Sequence, residues 1–168
     1  MTTILNWKQK PLSHTSEIYH GNKVVGSIKE NSMNQHANGL INGKKFIFRT
    51  SGFIKSNTLI VDGETDKIVG NITYNSWMTK ARIKTPEGIA HWKYDNPFNT
   101  KWSLKDDNDL NITYSRSNGI IKTDHQNDLL LLTGLYISQY YRRITFLMLF
   151  VVFVPILVTI INLIINNS

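Results

Sequence analysis

The sequence predicts a mainly β protein: a closed antiparallel barrel of about 10–12 strands around a hydrophobic C-terminal helix, followed by a single transmembrane helix. Three observations lead to this prediction. Short alternating runs of apolar and polar residues recur up to residue 123, with turn residues between them. An apolar segment of helix length follows at 128–141. A second apolar segment, 144–165, contains no charged residue.

The strands are predicted from alternation and from β-branched and aromatic content. Runs such as "KVVGSIK", "KKFIFRT", "NTLIVD" and "IAHWKY" have the two-residue period of a half-buried strand. Turn signals separate the runs, among them Gly21-Asn22, Asn42-Gly43, Asp62-Gly63 and Asn118-Gly119. Short strands that repeat about every 8–12 residues are typical of a sandwich or a barrel.

The segment 128–141 decides between these two folds. Asp124 or Asn127 is available as its N-cap, and its leucines, isoleucine and tyrosines cover nearly every direction of a helical wheel. A helix that is apolar all round is normally surrounded, and this one is too short to span a bilayer. We therefore expect it inside a closed barrel. The alternative is one long helix, partly in the membrane and partly protruding, beside a β-sandwich.

The segment 144–165 has the length of a membrane span. As a helix it is about 33 Å long, close to the hydrocarbon thickness of a bilayer, and Pro155 is tolerated in such helices. The alternative is a very apolar core helix of a soluble domain. Arg142 and Arg143 lie at its N-terminal edge. By the positive-inside rule they predict a single-pass protein of the cell membrane with a cytoplasmic N-terminal domain.

The predicted organisation is a barrel domain at 1–143 that contains the helix 128–141, an anchor at 144–165 and a short tail at 166–168. The start "MTTILNWKQKPLSH" lacks the apolar stretch of a signal peptide, so the pattern is that of a tail-anchored protein. Every charged residue lies at or before Arg143, so the net charge of +7 belongs to the barrel domain. Next to a membrane, this charge favours anionic phospholipid over nucleic acid as partner.

Order and spacing in the chain resemble the tubby C-terminal-like superfamily, which includes tubby proteins, phospholipid scramblases and LURP-one-related proteins. "TLIVDGETDKIVGNITY" looks like the recurring hairpin of that group, and "GNKVVGSIKE" looks like a second copy. "DLLLLTGLYI" is similar to its central helix. The resemblance covers about residues 15–141 and implies a barrel around a helix and membrane association. The proline-rich region and cysteine cluster of scramblases are absent, and the phosphoinositide-binding residues of tubby have no aligned counterpart.

Catalytic chemistry is not predicted, and neither is a cofactor or a metal. The chain has no cysteine, which excludes thiolate ligands and cysteine nucleophiles. Its five histidines are scattered, and no serine lies in a G-x-S-x-G elbow. Asp107, Asp109 and Asn111 alternate as in calcium loops. However, Ile112 replaces the required glycine and Asn118 the required glutamate, so a solvated turn is predicted.

The candidate binding residues are basic. In "KARIK", the residues Lys80, Arg82 and Lys84 alternate with apolar residues and share one face of a strand. A two-residue loop at Pro86-Glu87 or Glu87-Gly88 adds His91 and Lys93 to that outer surface, with Ile83 and Trp92 on the inner one. A second basic run contains Lys44, Lys45, Arg49 and Lys55 and no acid. The alternative for both is an ordinary solvated strand face.

The sequence therefore predicts a non-enzymatic, membrane-anchored module that binds anionic lipid or a protein partner. The candidate lipid-binding residues are Lys80, Arg82, Lys84, His91, Lys93, Arg142 and Arg143. One alternative is lipid scrambling through an oligomeric anchor, for which Asn162 offers a polar contact between helices. Another is a tethered protein scaffold. Trp77, Trp92 and Trp102 are expected in the core or at its rim. A nucleic-acid platform, which needs exposed aromatic rings, is therefore not predicted.

Overall fold

The strands form a single antiparallel sheet that closes on itself. The computed structural model describes residues 2–9, 13–31, 36–52 and 57–166, and within these ranges it contains twelve strands and one helix. In chain order the elements are β1 (Thr3–Gln9), β2 (Thr15–His20), β3 (Lys23–Glu30), β4 (His36–Ile41), β5 (Lys44–Ser51), β6 (Asn57–Asp62), β7 (Ile68–Tyr74), β8 (Lys80–Thr85), β9 (Gly88–Tyr94), β10 (Lys101–Asp106), β11 (Asn111–Ser115), β12 (Ile120–Thr123) and α1 (Asp128–Asn166).

Each strand pairs with its neighbours in the chain, and β1 closes the barrel against β12. The closing register joins Thr3 to Thr123 and Leu5 to Ile121. Along most strands, buried side chains alternate with exposed or half-buried ones, as the two-residue period requires. Consecutive buried residues occur in β6, at Ile60 and Val61, and in β10, from Trp102 to Leu104. The predicted closed barrel is confirmed, and its strand number lies at the upper limit of the predicted range.

Two hairpins share an irregularity. In β2–β3 the register shifts between Ile18 and Tyr19, and in β6–β7 it shifts between Ile60 and Val61. Each shift lies opposite a Val-Gly pair, at Gly26 and at Gly70. A Cβ on Gly26 would lie 2.8 Å from a backbone oxygen of β4, so the neighbouring strand leaves no room for a side chain there.

The structure divides into two compact units, Met1–Tyr136 and Ile137–Ser168. The helix α1 is continuous through this boundary. The sequence indicates two helices that meet at Arg142 and Arg143, but the structure has one helix there. Arginine is a good helix former and neither glycine nor proline stands at that point, so nothing interrupts the backbone hydrogen bonds.

In the first unit, the start of α1 is enclosed by the barrel. The side chain of Asn127 accepts a hydrogen bond from the N–H of Leu130 at 2.9 Å, so Asn127 is the N-cap. Leu131, Leu132 and Leu135 are buried, which agrees with the prediction from the apolar surface of this segment. Burial of each such side chain stabilises the fold by about 1.5–3 kcal/mol.

Polar groups inside the barrel bond to the helix backbone. The indole nitrogens of Trp92 and Trp102 both donate to the carbonyl oxygen of Gly134, at 2.9 and 3.1 Å. The hydroxyl of Tyr114 donates to the carbonyl oxygen of Leu131 at 2.9 Å. Burial raises the pKa of Tyr114 well above its ordinary value, so this hydroxyl stays protonated and remains a donor. These hydrogen bonds give partners to the donor groups of large side chains that the barrel removes from water.

The two ends of the barrel carry different turns and loops. At the helix-start end, where α1 begins, the amide of Asn42 donates to Asp128 at 2.8 Å and the amide of Asn127 donates to Glu87 at 3.3 Å. This end carries the turns that follow the even-numbered strands. The opposite end, called the far end below, carries the loops 75–79, 95–100 and 116–119.

In the second unit, burial ends part of the way along the helix. The side chains of 137–141 are buried, whereas those from Phe146 to Ile165 are almost all exposed and apolar. In length and composition, α1 is a helix that can cross a membrane.

Candidate functional site

The hairpin β8–β9 brings the five predicted basic residues of the barrel together. Thr85 pairs with Gly88, so Pro86 and Glu87 form a two-residue turn, one of the two predicted loops. The register then places Lys80 opposite Lys93.

The rest of this register keeps the bases outside and the apolar residues inside. Arg82 lies opposite His91, and Lys84 is exposed on the same face. Ile83 and Trp92 are buried on the inner face. The predicted common outer surface of the five residues is therefore present, while lipid binding by them stays a prediction.

The next strand extends this surface with two lysines that the sequence analysis did not include. β10 pairs with β9 so that Lys105 lies opposite His91, and Lys101 points to the same side. The run "KWSLK" signals a strand with outward lysines, but not which strand lies beside it. The basic face, as named here, consists of Lys80, Arg82, Lys84, His91, Lys93, Lys101 and Lys105.

The basic face carries no acidic residue at its outward strand positions, which all belong to the described part of the chain. An acid beside this face is Asp95, in the loop that follows β9. Its carboxylate lies 4.0 Å from the ammonium of Lys93 and also accepts a hydrogen bond from Ser103 at 2.9 Å. Like charges directly opposite each other, such as Lys80 and Lys93, destabilise a sheet by a few tenths of a kcal/mol.

The second basic run is partly neutralised. Lys44 lies 3.3 Å from Asp128, and Arg49 lies 2.8 Å from Asp66. Both acids are distant in sequence, so the acid-free run predicted here does not form an acid-free surface. Lys55 lies outside the described residues.

Arg142 and Arg143 belong to the second unit. Arg142 is exposed, and the guanidinium of Arg143 lies 5.7 Å from the ring centre of Tyr140. This distance is within the range of a cation–π contact. Lipid binding by the two arginines stays a prediction.

The tryptophans divide into two groups. Trp92 and Trp102 are buried in the barrel, as predicted. The expected core or rim position of Trp77 is wrong, because its side chain is 85% exposed. Trp77 lies in a loop and has no facing strand to cover it. Phe98, which the sequence analysis did not single out, is 84% exposed.

A cavity of about 740 Å³ opens at the helix-start end of the barrel. Its wall includes Phe46, Lys44, Glu87, Asn127 and Asp128. The charged side chains of this wall bond to one another or to neighbouring amides, as in the pair of Lys44 and Asp128.

In the described ranges, no three His, Asp or Glu side chains converge as a metal site requires. The predicted turn at 106–111 is held by the carboxylate of Asp106, which accepts hydrogen bonds from the N–H groups of Asn108 and Leu110.

In comparisons with protein-family models, with curated proteins and with solved structures, the chain has no match.

Proposed function

We propose that this protein is a membrane-anchored β-barrel module that binds anionic lipid headgroups through its basic face. One observation carries the proposal. Three adjacent strands present seven bases and no acid on one outer surface. Near an anionic membrane, each exposed base contributes about 1 kcal/mol to binding. Proteins tolerate such locally unfavourable patterns chiefly where function requires them.

The helix α1 supports the anchoring part of the proposal. Its segment 146–165 is apolar, exposed and free of charge, which is the composition of a membrane span. Arg142 and Arg143 precede this segment. By the positive-inside rule, we place the barrel on the cytoplasmic side of the cell membrane.

A tubby-like relationship is part of the proposal. The resemblance implies a barrel that encloses an apolar helix and associates with membranes. The closed barrel around the start of α1 is consistent with that architecture. Lipid recognition by this chain then rests on its own basic face, since the phosphoinositide-binding residues of tubby have no aligned counterpart here.

The test uses the fragment 1–143, which ends before the uncharged segment, with vesicles of mixed neutral and anionic lipid. The triple variant Lys80→Gln, Arg82→Gln, Lys84→Gln should bind about a hundredfold more weakly, since three contacts amount to about 3 kcal/mol. Thermal melting shows whether each variant is folded.

The matched control removes three charges from the opposite side of the barrel. Lys8, Lys23 and Lys29 are exposed on β1 and β3, and the variant with glutamine at all three has the same net charge as the first triple variant. Its binding should stay close to that of the parent. If both variants bind equally well, the basic face is a solvated surface and the scaffold function becomes the better proposal.

A further inference from the structure

Two loops at the far end of the barrel repeat one local sequence. The loop between β7 and β8 is followed by the first lysine of β8 and reads "NSWMTK" over 75–80. The loop between β9 and β10 reads "NPFNTK" over 96–101. Both have the order asparagine, any residue, aromatic, any residue, threonine, lysine.

In the first loop, a single side chain holds the turn. The amide oxygen of Asn75 accepts hydrogen bonds from the N–H groups of Thr79 and Lys80, both at 2.9 Å. Its amide nitrogen donates to the hydroxyl of Thr79 at 3.1 Å. Met78 has a φ of 53°, in the left-handed region. This geometry leaves Trp77 at the tip of the loop.

The second loop has the same bonds. The amide oxygen of Asn96 accepts from the N–H groups of Thr100 and Lys101, both at 3.0 Å, and its nitrogen donates to the hydroxyl of Thr100 at 2.8 Å. Asn99, with a φ of 54°, takes the place of Met78. Phe98 takes the place of Trp77 at the tip.

These twin loops, 75–79 and 95–100, therefore hold one aromatic side chain each away from the barrel. At 85% and 84%, Trp77 and Phe98 are the most exposed large apolar side chains that the structure describes in the first unit, where the other exposed ones range from 37% to 61%. Two strand spacings separate the loops, which is about 10 Å. Exposed apolar side chains that are grouped at one end of a molecule mark protein or membrane interaction sites.

The direction of α1 within the first unit indicates what this surface meets. Asp128 is bonded to residues of the helix-start end. The hydroxyl of Tyr136 lies 2.7 Å from that of Thr50, near the far end of β5, so the helix runs towards the far end. Seven residues, 137–143, separate Tyr136 from the uncharged segment, and they span at most about 25 Å of chain.

We propose that the twin loops insert Trp77 and Phe98 into the interfacial region of the bilayer in which the chain is anchored. The proposal rests on the membrane anchoring proposed above and names the residues that make the contact. Tryptophan and other amphipathic aromatics are enriched at the membrane–water interface. Lys80 and Lys101, which directly follow the two loops, are placed to extend their charged ends to the headgroups.

The test is quenching of tryptophan fluorescence in the full chain, reconstituted into vesicles of neutral lipid with brominated acyl chains. The chain has four tryptophans, and the other three are buried in the barrel. Trp77 is therefore the tryptophan that an inserted loop brings to the bromine atoms. Flotation of the vesicles reports anchoring independently.

Three variants make the test specific. Trp77→Phe should lose the quenched component, and the double variant Trp77→Phe, Phe98→Trp should restore it from the second loop. A matched reporter at the helix-start end, Lys67→Trp in the Trp77→Phe background, should not be quenched. Quenching at Trp77 should also persist at 1 M salt, where the Debye length is about 3 Å, because insertion of an aromatic ring does not depend on charge.

The outcomes separate this inference from the proposal on which it rests. Flotation with quenching at both loop positions supports insertion. Flotation with Trp77 no more quenched than the reporter at residue 67 overturns insertion and leaves anchoring intact. A chain that does not float with the vesicles overturns both.

Discussion

Gly134 of α1 lies directly against the ring of Tyr114 on β11. A Cβ at Gly134 would overlap the hydroxyl oxygen of Tyr114 and lie 2.6 Å from its Cζ atom. The ring cannot easily move away, because it stacks on Trp102 with ring centres 5.3 Å apart and its hydroxyl bonds to Leu131. A glycine inside a helix costs about 1 kcal/mol relative to alanine. The close contact with Tyr114 is the reason that position 134 requires glycine in spite of this cost.

Gly134→Ala should therefore destabilise the barrel although alanine favours helices. We expect a loss of about 1–3 kcal/mol in the free energy of unfolding, the usual cost of overpacking a core. Urea denaturation of the fragment 1–143 measures it. In the Tyr114→Ala background, the same substitution should be neutral or stabilising, and an equal loss there would exclude this contact as the cause.

Aspartate substitutions should separate the enclosed part of α1 from its exposed part. Leu135→Asp should unfold the barrel, because a buried unpaired carboxylate costs several kcal/mol against a total stability of about 5–15 kcal/mol. Leu147→Asp should leave the barrel folded and weaken membrane insertion by less than the roughly 3 kcal/mol that an aspartate costs at the centre of a span. Circular dichroism of the fragment 1–143 reports the first effect, and flotation of the full chain reports the second. A Leu135→Asp fragment that melts like its parent would contradict the enclosed helix.

Met78→Asn should stabilise the protein. Met78 is in the left-handed region, which costs a residue other than glycine about 1–2 kcal/mol and costs asparagine less. The twin position already has asparagine, at Asn99. We expect a gain of about 0.5–1 kcal/mol in the free energy of unfolding, measured by urea denaturation. Ser76→Asn, in the same loop without a positive φ, is the matched control and should show no gain.

Lys101 and Lys105 should contribute to lipid binding as the predicted five residues do. The double variant Lys101→Gln, Lys105→Gln should weaken binding of the fragment 1–143 to anionic vesicles by about thirtyfold, from about 1 kcal/mol per base. Binding of the parent should fall steeply between 0.1 M and 1 M salt, as screening shortens the Debye length from about 10 to 3 Å. Co-sedimentation measures both effects. Salt-independent binding would contradict an electrostatic contact.

Acid should remove a stabilising contribution from the β6–β7 turn. Hydrogen bonds from the backbone N–H groups of Thr65 and Glu64, and from the hydroxyl of Thr65, lower the pKa of Asp62. A lowered folded-state pKa stabilises the fold above the unfolded value of about 3.9, and this contribution is lost as the pH falls through the folded value. The advantage of the parent over Asp62→Asn in urea denaturation should therefore shrink below about pH 4. An advantage that stays constant down to pH 2 would contradict this role.

The sequence by itself determined the local features of this protein. Alternation in "KARIK" and "IAHWKY" predicts which side chains point outward, because a strand has a side-chain period of two whatever surrounds it. The apolar surface around 128–141 predicts an enclosed helix, because such a helix requires cover on all sides. The lack of charge in 144–165 predicts a membrane span for a similar reason: few other surroundings accept so long an apolar helix.

Only the tertiary structure decided which of these surfaces meet. The pairing of β9 with β10 adds Lys105 to the row that contains His91, and Asp128 neutralises Lys44 although it lies more than 80 residues later in the sequence. The exposure of Trp77 was also decided by the tertiary structure. The physical reason is common to these cases. Alternation specifies the face of a residue, whereas its neighbours depend on strand register and barrel closure, which follow from contacts summed over the whole chain.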